Sequence, residues 1–72
     1  NAVRRIAFIS ENSSYYKQRF LIVGKLVRII KPIETGGFIC EFVYDDDRRA
    51  LNDNAGWSDM KKEYLFDCIK FK

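Results

Sequence analysis

Apolar and polar positions alternate in four separate stretches of this chain, and each alternation predicts a strand. In residues 3–9, Ile6 and Phe8 alternate with Arg5 and Ala7, the pattern of a half-buried strand. Residues 25–31, KLVRIIK, are rich in β-branched side chains, and Pro32 then removes a ladder donor and helps end that strand. Residues 38–44, FICEFVY, set Phe38, Cys40, Phe42 and Tyr44 on one face and Ile39, Glu41 and Val43 on the other. Both faces are largely apolar, which predicts a central strand covered on both sides. Residues 63–71, EYLFDCIKF, form the last strand, with Leu65, Ile69 and Phe71 opposite Tyr64, Phe66 and Cys68. The alternation selects Ile6, Phe8, Val27, Ile29, Phe42, Val43, Leu65 and Ile69 as the core.

The connections have their own signals. The run SENSS at residues 10–14 is turn-forming, because its hydroxyls and amide compete for local backbone groups. Residues 10–24 therefore read as a long loop with room for one helical turn. Gly36 and Gly37 supply the positive φ of a hairpin between the second and third strands. Asp45, Asp46 and Asp47 stop the third strand; one of them is suited to cap a helix, and all three suit its positive end. A short helix running to about Asn52 follows, with Asn54 and Gly56 able to end it in left-handed conformations. The expected fold is mostly β: a small SH3-like barrel or strongly bent meander of four to five strands. One short helix sits in the connector before the last strand. A sheet this small must close or protect its edges.

Seventy-two residues make one small β-barrel domain, near the lower limit for a self-sufficient core. Six Phe, four Tyr and one Trp exceed what such a core needs, so some rings are expected on the surface. The net charge of +3 is compatible with an anionic partner but far from a polybasic nucleic-acid coat. No apolar run approaches membrane-spanning length and the first eight residues lack a signal-peptide core, so no membrane partner is expected and the location expected is the cytoplasm. In that compartment Cys40 and Cys68 are expected to be buried and reduced.

Catalysis has little to draw on. The chain has no His for base work or a triad, and SENSS has no neighbouring base. Without His or CxxC spacing, the usual zinc sites are excluded, and the three aspartates lack the calcium-loop spacing. Gly24-Lys25 is not a phosphate loop, because the Gly-rich run is missing. No cofactor is expected. The better candidates are two basic and aromatic segments: Tyr15, Tyr16, Lys17 and Arg19 in the first long loop, and Arg48, Arg49 and Trp57 around the helix. Rings there can stack on a flat ligand and guanidinium groups can fork onto phosphate. The plainer alternative is that Trp57 plugs the end of a barrel while the charges are solvated or paired with Asp45 to Asp47.

The stretches ISENSSYY, VGKLVRI and FICEFVYDDDRRALNDNAGW resemble small accessory proteins encoded by tailed phages. Some proteins of this kind antagonise host defence, and the sponge proteins of anti-CBASS and anti-Thoeris type sequester cyclic nucleotides in oligomers. The resemblance implies a non-enzymatic homo-oligomer that binds a phosphorylated small molecule in the host cytoplasm. Two other classes stay open: a nucleic-acid-binding module of SH3-like or OB-like type, and a protein-interaction domain that inhibits a host enzyme.

Overall fold

In the computed structural model, residues 5–14 and 17–71 are described. Among the described residues, five antiparallel strands form one sheet: β1 (Ile6–Ile9), β2 (Leu26–Pro32), β3 (Phe38–Phe42), β4 (Tyr64–Phe66) and β5 (Ile69–Phe71). Two helices interrupt them, α1 (Arg19–Ile22) after β1 and α2 (Asp45–Ala55) after β3. The strand order is β4-β3-β2-β1-β5. The expected mostly β meander is present, but no ladder joins β4 to β5, so the sheet is not closed into a barrel.

The single last strand expected over residues 63–71 is instead two strands that lie at opposite edges of the sheet. Asp67 causes the break. Its Oδ1 accepts from the Ser13 hydroxyl at 2.8 Å and its Oδ2 from the Ser14 hydroxyl at 2.6 Å. The carbonyl of Cys68 accepts from the Ser10 amide at 3.1 Å. These bonds turn residues 67 and 68 toward the loop after β1, so the chain leaves the β3 ladder and enters the β1 ladder.

The sheet is strongly bent. A register shift between Ile29 and Lys31 places one extra residue in β2, and such a bulge bends the strand that carries it. The hairpin to β3 closes through Ile33 N–H to Gly37 C=O at 3.0 Å. Gly37 has φ 91°, and a Cβ there would lie 2.8 Å from the Phe66 carbonyl oxygen, so glycine is needed for conformation and for space.

One face of the sheet carries the core. Ala7 and Ile9 of β1 are buried there beside Val27 of β2. Cys40 and Phe42 of β3 and Tyr64 and Phe66 of β4 continue the face. Ile22 of α1 and Leu51 of α2 are fully buried with them. Phe42 sits at the centre, with ring centroids 5.2 Å from Tyr64 and 5.8 Å from Phe66, both edge to face. Such pairs add about 0.5–1.5 kcal/mol each beyond area burial.

Val27 and Phe42 are core as the alternation predicts, and Ile29 and Ile69 pack against it half-buried. The face is inverted in two strands. Ile6, Phe8 and Leu65 are half-buried on the opposite side, and Val43 is half-buried beyond the end of β3. The reason is that IAFI and YLF are apolar at both parities, so alternation alone cannot choose the inside. The polar handle of Tyr64 finds partners there: its hydroxyl donates to Asn52 Oδ1 at 2.6 Å and shares the Lys61 carbonyl at 2.9 Å. The β3 strand is flanked by β2 and β4 as expected, but Glu41 and Ile39 on its outer face are only half-buried.

The connector helix is longer than expected and runs to Ala55, where Gly56 at φ 73° ends it in the left-handed region. Its N-cap is Tyr44, not an aspartate, and no side chain caps it. Asp45, Asp46 and Asp47 instead fill the first turn, where they face the positive end of the helix. No helix among the described residues is long and apolar enough to cross a membrane.

Candidate ligand-binding site

The two segments singled out from sequence come close, because α1 packs against α2. Their described cationic side chains have separate local surroundings. Tyr15 and Tyr16 lie outside the described residues. Lys17 is exposed, and Arg19 is exposed while donating to the Glu11 carbonyl. Arg48 is only 9% exposed. Its guanidinium donates to the Asp59 carbonyl and lies 3.5 Å from Asp45 Oδ1, so it ties the connector to α2. Arg49 is exposed, one position on from Arg48 and hence about 100° round the helix. Asp47, on the other flank, pairs with Lys25 Nζ at 3.6 Å beside α1. Arg49 and Asp47 thus lie on different flanks of the helix. Trp57 is half-buried against the core, its ring 6.2 Å from Tyr64, with Lys61 Nζ 5.1 Å from its centroid.

A second constellation lies where the first described residue and the last strand meet. β1 and β5 pair Ala7 with Phe71. Just upstream, Arg5 accepts at its carbonyl from Ile29 N–H at 2.9 Å, which extends β1 toward the same edge. The Arg5 guanidinium carbon then sits over the Phe71 ring, 3.9 Å from its centroid. The edge of that ring system is closed by Phe38, with centroids 5.8 Å apart at 89°. Arg5 is exposed, Phe71 is 37% exposed and Phe38 is half-buried. The result is a cationic group held on an aromatic base beside the edge strand β5. A guanidinium plane of this kind offers a stacking face and a forked edge of N–H donors. Lys31 and Lys70 are exposed, but they pair with Ile39 and Phe8 and so lie on the face of the sheet opposite Phe38 and Phe71. Arg28 is neutralised on the outer face by Glu41, its cross-strand partner, at 3.5 Å.

Sequence reasoning missed Arg5, Phe38 and Phe71 as a group. The pair Arg4-Arg5 was a visible basic signal. What brings Phe71 to it is a pairing between residues more than sixty positions apart, which no local pattern encodes.

The serines of SENSS also have a role that the turn reading did not contain. Ser13 and Ser14 surround Asp67, and Ser14 N–H adds bonds of 3.0 and 3.3 Å to its two oxygens. Desolvation alone would raise the Asp67 pKa. The hydrogen bonds from the Ser14 and Ser13 side chains and the Ser14 backbone outweigh it and hold the carboxyl below its ordinary value.

Cys40 is buried and Cys68 half-buried, and no disulfide joins them. Burial pushes the Cys40 thiol up to about 12, which makes it a poor nucleophile. Among the described residues there is no enclosed pocket and no group of three metal-ligating side chains. No family model, curated protein or solved structure matches the chain.

Proposed function

We propose that the chain is a non-enzymatic binding protein for a nucleotide-type ligand, with Arg5 on Phe71 as its stacking platform. The observation that carries this reading is the exposed guanidinium held 3.9 Å over the Phe71 ring and buttressed by Phe38. A base stacks on the outer face of the guanidinium, and a phosphate accepts from its edge. The platform is prebuilt, so binding orders little that is not already ordered. The mild net charge of +3 favours a small anion or short strand over a long polymer. The likeness to phage accessory proteins points to a cyclic nucleotide held by a homo-oligomer as the ligand and assembly. A small open sheet has little concave surface, and a second copy set against the platform would complete a pocket.

The same chemistry serves a free nucleotide and a nucleotide within a single strand, and calorimetry separates them. Titrations with cyclic and linear nucleotides and with a short single-stranded oligonucleotide are run at low and moderate salt. A free-nucleotide binder saturates at fixed stoichiometry with weak salt dependence. A strand binder loses affinity steeply with salt. Arg5→Ala is expected to cost about 1.5–3 kcal/mol in either case, as for a hydrogen bond to a charged group. No heat with any of these ligands removes the reading and leaves a protein-interaction domain as the alternative.

A further inference from the structure

The surface formed by α1 and the start of α2 is built differently from the platform. Phe20 is 75% exposed on α1, Val23 follows one turn later, and Tyr44 at the start of α2 is 58% exposed. Ile22 anchors α1 in the core, and Phe20, two positions earlier on the same helical turn, faces out. One ion pair joins the two segments that carry these side chains. Lys25, two residues after Val23, bonds Asp47, and Asp47 lies one helical turn after Tyr44. Leu26 C=O accepts from Val43 N–H at 3.1 Å, which fixes the two segments side by side. Exposed Lys17 and Arg19 flank Phe20 on the α1 segment, and exposed Asp45 and Asp46 follow Tyr44 on α2, so the charges of the two segments are opposite in sign.

We infer that this patch is a contact between two copies of the chain. A two-fold axis through the Phe20, Val23 and Tyr44 cluster sets the basic segment of each copy against the acidic segment of the other. That is the self-complementarity an isologous contact requires. Rigid aromatic anchors within a charged rim are the usual anatomy of such contacts. A second copy satisfies the patch without a partner of different chemistry. This contact uses a different surface from the one set against the Arg5 platform, and it stands whether or not that platform binds nucleotides.

Sedimentation of the full chain over a range of concentrations tests it, with melting curves as the folding control. Wild type is expected to dimerise, and Phe20→Glu to raise the dimer dissociation constant by about tenfold or more. The charge variants give a sharper test. Arg19→Glu alone and Asp46→Lys alone each set like charges face to face in both halves of a dimer, and each is expected to be monomeric. Mixed together, the two variants restore opposite charges in both halves and are expected to dimerise. A wild type that stays monomeric overturns the inference. So do single charge variants that dimerise as wild type does, or a mixture that remains monomeric.

Discussion

The rings of Phe38 and Phe71 meet edge to face, 5.8 Å between centroids, although β2 and β1 lie between their strands in the sheet. In a flat sheet, strands three places apart are about 14 Å from each other. The contact therefore reports how far the sheet curls, and it ties the candidate platform to the bend. A double-mutant cycle with Phe38→Leu and Phe71→Leu in urea should give a coupling of about 0.5–1.5 kcal/mol. Additive effects of the two changes would mean that the sheet is flatter in solution.

Arg48 and Arg49 stand next to each other in sequence and should behave oppositely. Arg48→Ala removes bonds to the Asp59 carbonyl and Asp45 and should cost about 2–3 kcal/mol of stability. Arg49→Ala, on an exposed face, should stay within about 0.5 kcal/mol of wild type. Denaturant midpoints of the two variants decide it. Equal and small effects would contradict the anchoring role of Arg48.

The clasp on Asp67 predicts an acid-sensitive element. Its folded pKa is lowered from the ordinary 3.8, so its contribution is present above that value. It is lost as the pH falls through the depressed folded value. Wild type should exceed Asp67→Asn in stability at neutral pH, and the gap should narrow at strongly acidic pH. Urea melts at several pH values measure this; a gap that widens on acidification would contradict the hydrogen-bond assignment.

The two thiols should differ in rate. Cys40 is fully buried with its pKa pushed up to about 12, whereas Cys68 is half-buried. In native protein, an alkylating reagent should modify Cys68 well before Cys40, and in denaturant both should react fully. Mass mapping after a short exposure reads the order. Prior modification of Cys40 would place it on the surface.

Much of the architecture was legible where a local signal existed. The β2–β3 hairpin was marked by Gly36 and Gly37, the end of α2 by Gly56, and the one-turn helix after β1 by the length of its loop. What failed was the choice of inner face. Alternation favours Ile6 and Phe8 over the buried Ala7 and Ile9, because small and large apolar side chains alternate there without contrast. Alternation equally allows Leu65 as the inner residue in place of Tyr64 and Phe66, because the partners of the Tyr64 hydroxyl, Asn52 in α2 and the Lys61 carbonyl in the connector, are set by the fold. The break at Asp67 was hidden because its ligands, Ser13 and Ser14, lie at the other end of the chain. The candidate platform was hidden for the same reason. Arg5 and Phe71 are neighbours only through the β1–β5 ladder.

The most direct test of the proposed function is a nuclear magnetic resonance titration of labelled protein with a dinucleotide, following every backbone amide. The largest shifts are expected at Arg5 and Phe71, at their ladder neighbours Ala7 and Ile29, and at Phe38. They should be absent in Arg5→Ala. Shifts centred on α1 and α2 instead, or no shifts at saturating ligand, would contradict the platform as the binding site.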